Sequence, residues 1–374
     1  MQQGTSGTFT YANPRTVHWG AGCLPQHLEQ ELGQRNASRV LVITTHSVAH
    51  NDALGGRLTE LLGPRHVGPL VEIGQHAPAA VVAEAVAIAR EVQPDVLISF
   101  GGGSPIDAAK AVAFALTTKL DLRNPAAAEQ ARRFQPKPDE LLPQIALPTT
   151  LSAAELSGLA GFTTEAEHEK VGLRGEALIP RAIIFDAELS LETPLPLWLS
   201  TGIRAVDHAV ETLLAPGSHP FSDTLALEAL RRLQTSLLQT CAAPSDLAAR
   251  TESQLGAWFS FTLPGPAAAG LSHTLGKRIG SRHGIPHGVS SCLLLPHVMR
   301  YLAPRFAAVQ ARIAEALGVQ NAADGVADLI ARLGLPHHLQ DYGLSETDLV
   351  TAAAPVASTT YPLDDLVSIY RAAL

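Results

Sequence analysis

At 374 residues the chain is longer than one hydrophobic core usually serves, so two domains are the expectation. Hydrophobic residues make up 46% of it and charged residues 17%, which suits a large core and excludes long disorder. A formal net charge of −8 excludes the basic face that nucleic acid or anionic lipid would need.

The N-terminus, MQQGTSGTFTYANP, has neither the basic start nor the apolar run of a signal peptide. No segment is apolar for long enough to span a membrane, and a soluble, cytoplasmic protein is expected. RVLVIT (Arg39 to Thr44) reads as a buried strand, and PLVEI (Pro69 to Ile73) as another. APAAVVAEAVAIAREV then carries apolar residues at helical spacing, and DVLISF (Asp95 to Phe100) returns to strand. A second helix follows from Pro105, and QIALPTT (Gln144 to Thr150) is the next strand. Strand and helix alternating in this way predict βαβ units and a mostly parallel sheet. The polar, proline-bearing stretch between that helix and strand reads as a surface excursion. After Pro194 and Pro196 the pattern changes. LWLSTGIRAVDHAVETLL, SDTLALEALRRLQTSLLQT, ESQLGAWFSFTL and AAVQARIAEAL are helical, with few strand signals between them. The expected division is therefore an α/β nucleotide-binding domain over 1–194 and an all-helical domain over 195–374, with an active site in the crevice between them. Cys23, Cys241 and Cys292 are odd in number and far apart, suggesting neither a disulfide framework nor a cysteine zinc site.

Two stretches carry chemistry. In DVLISFGGGSPIDAAKAVA a buried strand runs into Gly101-Gly102-Gly103-Ser104, and a helix begins near Pro105. Glycines there let a ligand approach the backbone, and the helix N-terminus offers free N–H groups to a phosphate. The spacing is neither G-x-G-x-x-G nor a Walker loop, so a tight turn without a ligand is an equal alternative. The second stretch, AGLSHTLGKRIGSRHGIPHGV, sets His273, His283 and His287 in a short Gly-rich run, and imidazole is the commonest side-chain metal ligand.

FGGGSPIDAAKAVA, ALPTTLSAAELS, LIPRAIIFDAELSLETP, GIRAVDHAVE, SHTLG and HGIPHGVSSCLLLPHVMRY follow one another in this order. Together they resemble the iron-containing alcohol dehydrogenase family, and within it the maleylacetate reductase branch. The resemblance implies the fold shared with dehydroquinate synthase, and hydride transfer between NAD(H) or NADP(H) and a carbonyl, an alcohol or an activated C=C bond. It assigns Gly102, Gly103 and Ser104 to the cofactor pyrophosphate and Asp107 to the nicotinamide side. Thr149, Thr150 and Lys170 match positions lining the cofactor, where hydroxyls and a lysine supply donors. Asp107 also reads as a first-turn acid favoured by the helix dipole, and Lys170 as a solvated hairpin residue. Thr45 stands where NAD-preferring relatives carry an aspartate that repels a 2′-phosphate, so either cofactor is admitted. Family habit implies a homodimer through the N-terminal strand region.

Metal-dependent members bind one divalent ion with an aspartate, a histidine four residues later, and two further histidines. Here His208 and His287 remain, Arg204 replaces the aspartate, and Ala269 replaces the third ligand. Asp207 would point about 100° around the helix from His208. Catalytic zinc needs three protein ligands and a guanidinium opposes a cation, so a metal-free site is expected. The alternative set is His208 and His287 with His273 or His283. Arg204 then has two readings: it binds a substrate carboxylate or oxyanion, or it forms an internal ion pair with Asp207 or Glu211. His273 matches the family's histidine near the nicotinamide and His208 is a second candidate, both for proton transfer. His297 is expected to pack at the beginning of a helix. The substrate expected is a small anionic carbonyl or enoate. Three rivals stand beside this one: a metal-dependent alcohol dehydrogenase, a sugar-phosphate cyclase, and a nucleotide-binding protein without catalysis.

Overall fold

The structure is a computed structural model and describes residues 16–74, 77–124, 137–163, 170–216, 218–261 and 270–374. These form two compact units, one ending at Glu192 and the other beginning at Thr193. Ala269 lies outside the described residues.

In the first unit a parallel six-stranded sheet is built from β1 (Thr16–Trp19), β2 (Val40–Thr44), β3 (Val71–Glu72), β4 (Val96–Gly101), β5 (Gln144–Pro148) and β8 (Ala182–Phe185). Its spatial order is β1-β8-β5-β4-β2-β3. A separate antiparallel hairpin pairs β6 (Leu159–Thr163) with β7 (Lys170–Arg174). The strands β2, β4, β5 and β8 are buried along their whole length, as expected where helices cover both faces of a parallel sheet. Side chains alternate between the faces. Val40, Val42, Ile98 and Phe100 pack with Leu24 and Leu28 of α1 (Leu24–Gln34). Leu41, Ile43 and Leu97 pack on the other face with Val82 and Val86 of α4 (Ala79–Val92) and Val112 of α5 (Gly103–Thr118). Each such fully buried aliphatic side chain contributes about 1.5–3 kcal/mol. Two short helices, α2 (His46–Ala49) and α3 (Arg57–Leu62), follow β2.

The order in which strands are added reverses between β2 and β4. From β2 the chain moves outward to β3, and from β4 it moves the other way to β5 and β8. In open α/β sheets ligands bind at the carboxyl ends of the strands at such a switch point. The glycine run emerges there.

The second unit contains α6 (Leu195–Leu214), α7 (Pro220–Ala242), α8 (Leu247–Ser260), α9 (Leu271–His283), α10 (His287–Leu302), α11 (Ala307–Leu317), α12 (Ala322–Arg332), α13 (Glu346–Ala353) and α14 (Leu363–Ala372). From Trp198 to Leu214 every residue of α6 is buried, which makes it the central helix, packed by α7, α8 and α10. The helix expected over 252–263 starts earlier, where the Asp246 carboxylate accepts from the Ala248 and Ala249 N–H groups, and ends at Ser260. His297 does not begin a helix. It lies within α10, one residue after Pro296, because the apolar run SSCLLLP continues the helix begun at His287.

Candidate active site

Gly101 ends β4 with φ +139, a conformation that favours glycine, and a Cβ there would lie 2.9 Å from Pro105 Cγ. The two glycines beyond it face hydroxyls. A Cβ on Gly102 would meet Thr150 Oγ1 at 3.3 Å, and one on Gly103 would meet Ser152 Oγ at 3.3 Å. Thr149 N–H donates to the Gly101 carbonyl (2.9 Å) and holds the two loops together. Both Thr150 Oγ1 and Ser152 Oγ are buried without a hydrogen-bond partner. Ser104 occupies the first turn of α5, where backbone N–H groups have no partner within the helix. At the end of β2, a methyl of Thr45 lies 3.7 Å from the Cβ position of Gly101, and the Thr45 hydroxyl is 3.2 Å from that of Ser47. The carboxyl ends of β2, β4 and β5 thus bring together Thr45, the Gly102-Gly103-Ser104 turn, Thr149 and Thr150. Lys170 opens β7 opposite Thr163.

Asp107 turns toward the hairpin. Its carboxylate accepts from Gly161 N–H at 3.4 Å and lies 3.6 Å from Lys110 Nζ. Lys110 is buried and donates to the carbonyls of Ala154 (2.6 Å), Ser157 (2.9 Å) and Leu159 (2.8 Å). Burial lowers the lysine pKa, while Asp107 and Glu155 work against that shift. Glu155 is itself buried, and desolvation pushes its carboxyl up to about 7.

In the helical unit the polar residues of α6 form one buried cluster. Arg204 Nη1 donates to Asp207 Oδ2 (2.8 Å) and to Ser291 Oγ of α10 (3.0 Å). Asp207 Oδ2 also accepts from the hydroxyls of Ser272 (3.1 Å) and Ser291 (2.7 Å). One turn on, Glu211 accepts from the Gly270 N–H (3.2 Å) and the His273 N–H (2.9 Å), capping the N-terminus of α9. One arginine faces two buried acids. Burial raises both carboxyl pKa values, and the charge of Asp207 raises that of Glu211 further. Arg204 and two hydroxyls support the charge on Asp207, whereas burial and the neighbouring Asp207 charge push Glu211 toward its neutral form. His208 is edge-on to Phe261, with ring centroids 4.8 Å apart, and its Nδ1 is buried without a partner. Burial, and then the Arg204 charge, hold its pKa well below the ordinary imidazole range. His208 is therefore neutral, and it can act only as a neutral donor or acceptor.

Residues 14–187 match the iron-containing alcohol dehydrogenase family, and residues 198–372 match the C-terminal part of the Fe-containing alcohol dehydrogenase family. The maleylacetate reductase of Burkholderia cepacia is 31% identical over 349 residues, 93% of this chain and 90% of that protein. The chain belongs to the iron-containing alcohol dehydrogenase family. Maleylacetate reductase 1 of Rhodococcus opacus is 30% identical over 357 residues, 95% of this chain and 92% of that protein. A crystal structure of maleylacetate reductase from Agrobacterium tumefaciens matches with a TM-score of 0.84 at 28% identity, over 99% of both chains. The chain is an oxidoreductase of this family, on its maleylacetate reductase-like branch.

A nicotinamide dinucleotide fits the loop found here. Gly102 and Gly103 leave an opening that side chains would fill, the first turn of α5 supplies N–H donors, and two orphaned hydroxyls line the opening. The family's divalent ion does not fit the donor set. Arg204 occupies the aspartate's place and is already bonded to Asp207. The alternative histidine set is not assembled in this structure. Among the described residues, His208, His273, His283 and His287 do not bring three donor atoms together. His283 ends α9, with its Nε2 3.8 Å from Asp348 of α13, whereas His287 begins α10.

Ser152, Lys110, Glu155, Ser272 and Ser291 are the additions to the expected site. All five sat inside recognised motifs, so their position was visible and their role was not. Ser291 could have been suspected as a hydroxyl within the apolar run of α10.

Proposed function

We propose that the chain is an NAD(P)H-dependent reductase of a small anionic carbonyl or activated C=C substrate of the maleylacetate type, working without a divalent metal. The Arg204–Asp207 pair carries this reading, because it puts a buried cation where metal-binding members carry a carboxylate. NAD(P)H supplies the hydride when bound. The N–H groups and hydroxyl of the Gly102-Gly103-Ser104 turn, with Thr149, Thr150, Ser152 and Lys170, hold its phosphates and riboses. The neutral Thr45 admits NADH or NADPH. His273 delivers the proton, and Glu211 positions it by anchoring the first turn of α9. With Nη1 of Arg204 engaged by Asp207 and Ser291, the guanidinium first closes the metal position. Its remaining N–H groups and the neutral His208 polarise the substrate oxygen. The active species is a cytoplasmic homodimer.

The test uses protein stripped with a chelator and assayed with NADH and NADPH, on maleylacetate and on an uncharged aldehyde. Turnover of maleylacetate is expected to survive chelation and to gain nothing from Fe²⁺ or Zn²⁺. Activity lost on chelation and restored by either ion overturns the reading.

A further inference from the structure

A second set of donors lies beyond Thr45. His46 begins α2 and His50 follows its last residue, so the two rings share a side, with centroids 4.2 Å apart. The β2–β3 register pairs Thr44 with Glu72, and that pairing carries the Glu72 carboxylate to both rings. His46 Nδ1 is 2.7 Å from one carboxylate oxygen, and His50 Nδ1 is 3.5 Å from the other. One donor atom from each residue lies within 4.8 Å of the other two. Among the described residues this is the one such group of His, Cys, Asp or Glu.

We propose that His46, His50 and Glu72 form a binding site for a divalent ion of the Zn²⁺ class. Two imidazole nitrogens and one carboxylate oxygen are a borderline donor set that suits Zn²⁺, Ni²⁺ or Cu²⁺, and hard ions such as Ca²⁺ take all-oxygen sets. The side chains of His46 and His50 are 77% and 61% exposed, which provides an entry path and leaves coordination positions for water. Two adjustments are required. Ligand atoms around a tetrahedral ion stand about 3.3 Å apart, so His46 and Glu72 must separate by about half an ångström, which exposed side chains allow. His50 Nδ1 also lies 3.1 Å from the His46 carbonyl, and it must exchange that contact for the metal with its proton on Nε2. An ion held here ties α2 to β3. It sits on elements of the first unit, whereas the family's metal position is on α6, so metal that copurifies with this protein does not report on His208.

Tag-free, full-length protein, stripped of metal, is titrated with Zn²⁺ and with Co²⁺. The wild type and His208→Asn are expected to retain about one equivalent of Zn²⁺ and to melt at a higher temperature with it. His46→Ala, His50→Ala and Glu72→Gln are each expected to weaken binding by more than about tenfold, since even outer-shell partners of metal ligands are worth that much. All three residues are on the surface, and unchanged melting without metal confirms that the variants fold. Absence of Zn²⁺ binding by the wild type overturns the site. So does binding that is indifferent to His46→Ala and Glu72→Gln but lost in His208→Asn.

Discussion

Thr150 and Ser152 each bury a hydroxyl with nothing to bond, and a buried unsatisfied group costs about 1–3 kcal/mol. Both stand against Gly102 and Gly103, the turn proposed to hold the cofactor phosphates, where an arriving anion would recover that cost. This reverses the usual effect of a core substitution. The pair Thr150→Val and Ser152→Ala is expected to leave the melting temperature of the free protein unchanged or raised. Each substitution alone should weaken NADH binding by about tenfold to a hundredfold, because a lost bond to a charged group is worth about 1.5–3 kcal/mol. Fluorescence titration and thermal melting of one sample decide the matter. Lower stability with unchanged affinity would make the hydroxyls structural. Thr150 was legible in the PTT motif. Ser152 was not, since loop residues have no period to mark which side chains converge. Arg204 was legible in part. Its three-residue spacing from Asp207 on one helix predicts an ion pair, but Ser272 and Ser291 reach that carboxylate from two other helices.

At the scale of elements, α10 approaches α6 closely because residue 288 has no side chain. A Cβ on Gly288 would stand 2.8 Å from the Ser200 carbonyl carbon and oxygen and 3.0 Å from the Thr201 nitrogen. These are backbone atoms and cannot rotate away. Gly288→Ala therefore forces the helices apart, at the cost of about 1–3 kcal/mol seen for overpacked cores. Thermal melting should show a fall of several degrees. The control is Gly33→Ala in α1, where nothing lies within 4 Å of the new Cβ; there the better helix propensity of alanine should leave stability equal or higher. Equal melting of the two variants would refute the close-approach argument. The glycine of PHG thus has a packing reason independent of the histidine beside it. The strands β2, β4 and β5 could be read from their apolar runs. β1 could not, because its four residues, TVHW from Thr16 to Trp19, are half-buried or exposed and carry no apolar run. The long helices were legible from their period, whereas the ends of α8 depended on capping.

For the molecule as a whole, the change from strand–helix alternation to continuous helix announced two units. Their internal sites depend on contacts between residues far apart in sequence, such as Asp207 with Ser291. The net charge of −8 acts at this same scale. The proposed anionic substrate and a polyanionic cofactor would both approach against the overall field, while the local donors at the start of α5 act only within a few ångströms. Salt screens the long-range repulsion, since the Debye length falls from about 30 Å at 0.01 M to about 8 Å at 0.15 M. Raising ionic strength over that range is therefore expected to increase kcat/KM for maleylacetate, by a factor of a few, and to leave an uncharged aldehyde unaffected. NADPH should respond more steeply than NADH because it carries the additional phosphate charge. A decrease with salt for the anionic substrate alone would mean that cations near the site outweigh the net charge.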